Sequence, residues 1–327
     1  MKKYFVLAAT VIALAACSSE EENVQTWNGE IRLSYVNVTQ TRAGQLIQPD
    51  AFYGGETLDV FIYENSISPQ TTYDNPLKYT TNEDGSLTAP STQYYPQNGN
   101  GVNIFSVYPA GTATDDEIKN KSEISFEVSE NQTDDEDYKA SDLMVGKPDG
   151  NNPVEKTASS VQLKFWHCLS KINVNIKASD EVDVNDLVGA TVTIYTGTNA
   201  ATFNIEDALG QRQGKWVTAL ESQGQTSSPF VIAGELSASG NNAFVGLSAI
   251  IIPQDIPAGN QFIRIDARNQ TSYAYSLPTI VNSIEFDSGK VYTYNLTVKK
   301  SGLTLDGASI NNWDDAGSVD GDAILTP

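Results

Sequence analysis

Few residues of this chain have types and spacings suited to covalent chemistry or metal binding. His167 is the only histidine, and it lies on the apolar side of a predicted strand, where a buried packing role is the simpler interpretation. The two cysteines, Cys17 and Cys168, lack the companions that a zinc site needs. The chain contains no Gly-x-Ser-x-Gly turn for a nucleophile and no phosphate-binding glycine loop. The sequence therefore predicts no enzyme, no cofactor and no metal, and a buried, apolar role for Cys168.

Acidic residues near the C-terminus are the remaining candidates for a metal site. Asp314-Asp315 and Asp320-Gly321-Asp322 could contact a calcium ion, but they lack the spacing of an EF-hand loop. We favour solvated acidic loops there.

The first 17 residues could undergo covalent modification. Lys2 and Lys3 precede an apolar stretch, Tyr4 to Ala16, that is too short to be a stable membrane span. It ends in Leu14-Ala15-Ala16-Cys17, which resembles the bacterial lipobox and implies lipidation of Cys17. Acyl chains on Cys17 would hold the chain in the outer membrane. The acidic run Ser18–Glu22 is either a solvated tether or, by resemblance, the surface-export signal of Bacteroidetes lipoproteins.

The segment from Glu30 to Gly44 combines a predicted strand with a protease-sensitive site. Ile31, Leu33 and Tyr35 alternate with polar residues as in a half-buried strand, and Val36 and Val38 continue in the opposite phase. The strand leads into a polar segment, Thr41-Arg42-Ala43-Gly44, where a trypsin-like protease could cut between Arg42 and Ala43. This pattern fits either an ordinary first strand and loop or a strand that is removed.

The remainder of the chain predicts an all-β protein. Many short alternating segments are separated by turn signals at roughly ten-residue spacing, which indicates two antiparallel β-sandwich domains. We expect one long strand over Val161–Ile176, with a bulge or burial on both faces where its apolar phase changes, and a domain boundary in the polar segment Ala178–Asp186. The net charge of −21 excludes a basic footprint for nucleic acid.

Several segments, in a consistent order, resemble the fimbrillin family, the subunits of type V pili in Bacteroidetes. They are the lipobox, the first strand ending in Thr41-Arg42-Ala43, and the segments Leu163–Ile176, Ala201–Ile205, Ile251–Gln254, Ser288–Val298 and Ile310–Trp313. The resemblance implies two transthyretin-like β-sandwich domains. With the leader (1–17) and the tether with its removable strand (18–42), it divides the chain into an N-terminal sandwich (30–180) and a C-terminal sandwich (181–327).

The resemblance also implies a mode of assembly. A trypsin-like, Arg-specific protease would cut at Arg42–Ala43 and remove the strand that carries Ile31, Leu33, Tyr35, Val36 and Val38. A donor strand from another copy, or from a related pilin subunit, would fill the exposed groove. The candidate donor segment is Leu303–Pro327, with Leu303, Leu305, Val319, Ala323 and Leu325 as its apolar residues.

Two other functions compete with the pilus subunit. One is a non-polymerising surface lipoprotein or tip adhesin that binds a glycan or a host protein. Its stacking platforms would be the many tyrosines and the four tryptophans, Trp27, Trp166, Trp216 and Trp313, wherever these are exposed. The other is a surface hydrolase, for which the sequence lacks the residues.

Overall fold

The fold is almost entirely β. A computed structural model describes residues 27–35, 52, 54–204, 215–217, 230–244 and 247–313, with the backbone alone for 215–217. The first half of the chain contains β1 (Leu33–Tyr35), β2 (Thr57–Glu64), β3 (Leu77–Thr81), β4 (Leu87–Thr88), β5 (Val102–Tyr108), α1 (Asp115–Asn120), β6 (Glu123–Glu127), α2 (Asp135–Ala140), β7 (Met144–Pro148) and β8 (Val161–His167).

The second half follows the same style. Its elements are β9 (Ser170–Ala178), α3 (Val184–Leu187), β10 (Thr191–Tyr195), β11 (Ala200–Asn204), β12 (Lys215–Val217), β13 (Phe230–Glu235), β14 (Ala238–Gly240), β15 (Ala243–Phe244), β16 (Leu247–Ile251), β17 (Gln254–Pro257), β18 (Gln261–Asp266), β19 (Ser272–Ser276), β20 (Ser283–Phe286), β21 (Lys290–Lys299) and β22 (Gly302–Asn312). The predicted all-β class is confirmed.

Residue alternation explains why these segments form strands. In β21, Tyr292, Tyr294, Leu296 and Val298 are buried, while the residues between them are half-buried or exposed. This period of two places one side of the strand in the core, as the sequence predicts. The three short helices begin at Thr114, Asp134 and Asp183, whose side chains accept hydrogen bonds from backbone N–H groups of the first turn.

Five sheets organise the described strands. A seven-stranded sheet has the order β1-β8-β7-β5-β2-β3-β4, and β6 joins β11 and β12 in a three-stranded sheet. The C-terminal half contributes β13-β10-β18-β19, β14-β15-β9-β21-β22 with β16 also on β9, and the pair β17-β20. Antiparallel pairing dominates, as predicted, but β1 runs parallel to β8 and β9 runs parallel to β21.

The predicted single strand over Val161–Ile176 is wrong. The chain forms two strands there, β8 and β9, which belong to different sheets. Between them the Cys168 N–H donates to the Leu143 carbonyl, and the Leu169 carbonyl accepts from Gly289. The change of apolar phase therefore marks the passage from one sheet to the next, with no bulge required. Cys168 is fully buried, as predicted.

Two apolar clusters form the core. One lies within the seven-stranded sheet and includes Leu33, Val60, Ile104 and Leu163. The other unites the C-terminal half with the opposite face of the first sheet, since Phe61 packs with C-terminal residues. Strand β9 shares its sheet with β21, so the chain changes sheets between β8 and β9. The domain limits 30–180 and 181–327 stay predictions.

A buried carboxylate, that of Glu64 at the end of β2, organises the loops that surround it. Glu64 accepts hydrogen bonds from the backbone N–H groups of Gln70 and Thr71 at 2.7 and 2.6 Å, and from the side-chain amides of Asn98 and Asn100 at 2.7 Å each. The amide donors, followed by the two backbone donors, lower the pKa of Glu64 to about 2.

Among the described residues, no helix is long and apolar enough to span a membrane.

Candidate functional site

The candidate site is the seam that β1 fills. On one side β1 pairs in parallel with β8, with Leu33 opposite Val161 and Tyr35 opposite Leu163. On the other side Ser34 forms an antiparallel bridge with Ser86, one residue before β4. Because β8 lies at one end of the remaining sheet and β4 at the other, β1 joins the two ends.

Backbone hydrogen bonds hold this segment on both sides. The Val161 N–H donates to the Arg32 carbonyl at 2.8 Å, which ties the segment to β8. On the opposite side the Tyr35 N–H donates to Gly85 and the Ile31 N–H donates to Gln93, both at 2.8 Å. Removal of the segment would leave unpaired backbone groups along both walls of the seam.

The side chains of β1 and its preceding residues follow the predicted alternation. Ile31, Leu33 and Tyr35 are each 3% exposed and belong to the core cluster of the first sheet. Arg32 lies on the outer face, where its guanidinium pairs with Glu30 at 3.2 Å. The segment therefore contributes three large side chains to the core of the first sheet.

Tyr35 occupies an aromatic slot. Its hydroxyl donates to the Asn82 carbonyl at 2.7 Å, and its ring meets Phe52 edge to face at 5.4 Å. Phe52 in turn contacts the rings of Tyr108 and Phe165 at 5.1 and 4.8 Å. Burial, aided by nearby carboxylates, raises the pKa of Tyr35, so its hydroxyl stays a hydrogen-bond donor.

A second aromatic anchor precedes β1. The Trp27 indole N–H donates to the Glu30 carbonyl at 3.0 Å, and the Trp27 ring lies 6.2 Å from that of Tyr95. The Lys156 ammonium lies 5.7 Å from the centre of the Trp27 ring. Trp27 was expected only as a stacking platform, and no prediction concerned Phe52; the spacing of Trp27 four residues before Ile31 was the available signal.

The other predicted site residues divide into two groups. The first group lies outside the described residues and comprises Cys17, Val36, Val38, Arg42, Ala43, Val319, Ala323 and Leu325. Leu303 and Leu305 lie in β22, opposite Val298 and Leu296 of β21. Both are half-buried against the core of their own chain. Donation of these two residues to another subunit would require β22 to separate from β21.

Trp313 fixes the end of β22 at the junction between the two halves. It is 1% exposed, and its ring stacks on His167 with centroids 4.1 Å apart and planes 5° apart. The Lys171 ammonium lies 5.2 Å from the Trp313 ring, and His167 Nδ1 lies 2.8 Å from Asp142 Oδ1. His167 is thus a buried packing residue, as the sequence predicts. Within the described part of the chain, no group of three or more His, Cys, Asp or Glu residues could hold a metal.

A polar cleft lies beside β10 in the C-terminal half. Its volume is about 350 Å3, and it is lined by Tyr195, Thr196, Gly197, Ile256, Pro257, Asn260 and Gln261. The Tyr195 hydroxyl accepts from the Arg264 guanidinium at 3.4 Å, which orients the ring. Gln254 holds the backbone that follows β10, because its Oε1 accepts from the backbone N–H groups of Gly197 and Thr198. The lining has no ionised side chain, in a chain of net charge −21.

Two solved structures share this fold. The chain is similar to a candidate cell adhesion protein of Bacteroides uniformis, with 20% identity, a TM-score of 0.61, and coverage of 87% of this chain and 98% of that chain. It is also similar to a candidate cell adhesion protein of Bacteroides ovatus, with 17% identity, a TM-score of 0.57, and coverage of 87% and 96%. No curated protein matches the chain in sequence.

A family model described as fimbrillin-like matches residues 41–313. The match covers most of the chain, and it confirms the resemblance that the ordered sequence segments indicate. The chain therefore belongs to the fimbrillin-like family and is a pilus-related surface protein.

Proposed function

We propose that this chain is a structural subunit of a cell-surface type V pilus that polymerises by donor-strand insertion. The observation that carries the proposal is the double pairing of β1, whose side chains complete a core between two ends of a sheet. An Arg-specific protease cuts at Arg42–Ala43, and the strand then becomes a separate, replaceable segment. The family match begins at residue 41, next to this bond, which supports the proposal.

Energetics favour replacement over an empty seam. Burial of Ile31 and Leu33 stabilises the fold by about 1.5–3 kcal/mol for each side chain. Tyr35 and the paired backbone groups add to this sum. A domain has only about 5–15 kcal/mol of total stability, so a subunit with a vacant seam would be close to unfolding. The vacated seam therefore needs a new strand.

The cut changes which strand can compete. Before cleavage, β1 is joined to the chain and binds its seam intramolecularly, at an effective concentration of about millimolar or more. After cleavage, that advantage is lost, and a strand from another subunit can replace β1 through backbone pairing and apolar side chains. Proteolysis thus acts as the trigger for assembly.

The remaining proposals concern the ends of the chain. Lipidation at Cys17 holds the precursor in the outer membrane until cleavage releases it. Residues within Leu303–Pro327 serve as the donor strand for another subunit. Because Leu303 and Leu305 pack on their own core, the residues after Trp313 are the part that can be donated without separating β22 from β21.

The N-terminus and mass of the protein on intact cells test this proposal. We expect a start at Ala43 and a ladder on a denaturing gel that collapses on boiling. Arg42→Gln should abolish both, whereas Arg32→Gln, on the outer face of the same segment, should retain both. A lipidated start at Cys17 with a single band in the native protein would refute the pilus-subunit function.

The polar cleft supports a second candidate function, a surface or tip adhesin that binds a neutral glycan. An oriented tyrosine ring beside the amides of Asn260 and Gln261 offers one flat apolar surface and several hydrogen-bonding groups. Saturation-transfer NMR with neutral oligosaccharides tests this role. The double variant Asn260→Ala and Gln261→Ala should bind at least about tenfold more weakly, since each lost hydrogen bond costs about 1 kcal/mol. Absence of binding by the native protein would exclude it.

A further inference from the structure

We propose that the strand that enters the seam comes from a protein of different sequence, not from a second copy of this chain. That strand places an aromatic residue where Tyr35 lies. This inference rests on the proposed function and names the partner of the same site. It follows from three observations: the shape of the Tyr35 slot, the spacing of the side chains around it, and the composition of this chain's own candidate donor.

The slot is built for an aromatic ring. The centroid of the Phe52 ring lies 5.4 Å from that of the Tyr35 ring, and the two ring planes are nearly perpendicular. At the far end of the slot, the Asn82 carbonyl accepts a hydrogen bond from the Tyr35 hydroxyl. Phe52 and Asn82 both follow the Arg42–Ala43 bond, so they remain in the subunit after cleavage. A small or aliphatic side chain in the slot would remove one of the three rings that contact Phe52 and open a cavity in a packed core.

The spacing of the other positions defines the rest of the occupant. Ile31 and Leu33 lie four and two residues before Tyr35, and all three point to the same core. In this parallel pairing with β8, the seam therefore accepts the pattern apolar-x-apolar-x-aromatic. The cradle of Tyr95 and Lys156 beyond it, which holds Trp27 before the cut, favours a further aromatic residue.

The chain's own candidate donor does not match this pattern. Residues 303–312 and 314–327 contain no Phe, Tyr or Trp. Trp313 is aromatic, but the residues four and two before it are Ser309 and Asn311, and those two and four after it are Asp315 and Gly317. The set Val319, Ala323 and Leu325 has the right parity but supplies only aliphatic groups, interrupted by Gly321. A second copy of this chain is therefore a poor donor in either direction.

A peptide competition on the cleaved full-length chain tests this inference. The chain is cut at Arg42 with an Arg-specific protease and loaded with a fluorescent peptide of residues 27–38, and displacement is followed by fluorescence polarisation. The competitors are unlabelled 27–38, the same peptide with Tyr35→Phe, the same peptide with Tyr35→Leu, and a peptide of residues 303–327.

We expect the Tyr35→Phe peptide to compete within about tenfold of the native peptide, because it keeps the ring and loses one hydrogen bond. The Tyr35→Leu peptide should be at least about 10-fold weaker than the Tyr35→Phe peptide, and the 303–327 peptide at least about 100-fold weaker than the native one. Competition by 303–327 within tenfold of the native peptide would overturn the inference and leave the proposed function intact. Failure of the labelled native peptide to enter the cleaved chain would overturn both.

Discussion

Leu33→Ala in the uncut chain tests whether β1 completes the core of the first sheet. Leu33 is 3% exposed and lies in the middle of the segment, between the equally buried Ile31 and Tyr35. Leucine-to-alanine changes in cores cost about 2–5 kcal/mol, and the cost is larger where the surroundings cannot collapse. Because Leu33 is paired with Val161 and held on both sides of the strand, we expect a loss of about 3–4 kcal/mol in the free energy of unfolding.

Urea denaturation followed by circular dichroism and tryptophan fluorescence measures this change. With a slope of about 3 kcal/mol per molar urea, a loss of this size moves the midpoint of the first-sheet transition down by about 1 M. Arg32→Ala is the matched control, because its side chain lies on the outer face of the same segment, 52% exposed, in a surface ion pair. We expect the control to change stability by less than about 0.5 kcal/mol. Equal midpoints for the two variants would refute the packing of β1 into the core.

Three further predictions concern other parts of the fold. Glu64→Gln should weaken the dependence of stability on acidic pH. The folded-state pKa of Glu64 is lowered from 4.5 to about 2, so the native carboxylate stabilises the fold above pH 4.5, and this contribution is lost as the pH falls from 4.5 to about 2. Melting temperatures between pH 5 and pH 2 measure the effect, and parallel curves for the native protein and the variant would contradict it. Gly146→Ala should destabilise the first sheet by about 1–3 kcal/mol in urea titrations, because the new Cβ would lie 2.6 Å from the Phe165 ring. The control Gly307→Ala meets no atom within 4 Å and should be nearly neutral. Similar losses of unfolding free energy in the two variants would count against the close contact. Trp313→Ala should lower the free energy of unfolding by about 3–5 kcal/mol. It should also weaken amide-exchange protection along β22, since the buried ring anchors the end of that strand. Unchanged protection would show that Trp313 does not anchor β22.

Much of the local structure can be read from residue patterns. The alternation of Ile31, Leu33 and Tyr35 predicts the face that β1 buries, and the alternation in β21 does the same. Burial of His167 and Cys168 also follows from their apolar neighbours. These predictions succeed because strand formation and side-chain alternation depend on residues close in sequence.

Residue patterns did not predict which strands pair with each other. The phase change near Leu169 is compatible with a bulge, with burial on both faces or with a move to another sheet, and only the partners of β8 and β9 decide among them. The parallel pairing of β9 with β21 joins residues about 120 positions apart, such as Ser170 and Lys290. No local pattern encodes such a partner, because its choice depends on how all the strands fill one core.

Residue patterns are enough to predict the all-β class, the buried face of the first strand, the resemblance to the fimbrillin family and the candidate roles of Cys17 and Arg42. Only the folded arrangement shows that β1 joins both ends of a sheet, that Phe52 and Asn82 form the slot for Tyr35, and that Trp313 stacks on His167. The difference arises because local conformation follows from neighbouring side chains. A seam, a slot or a stacked pair exists only when segments far apart in the chain compete for the same buried space.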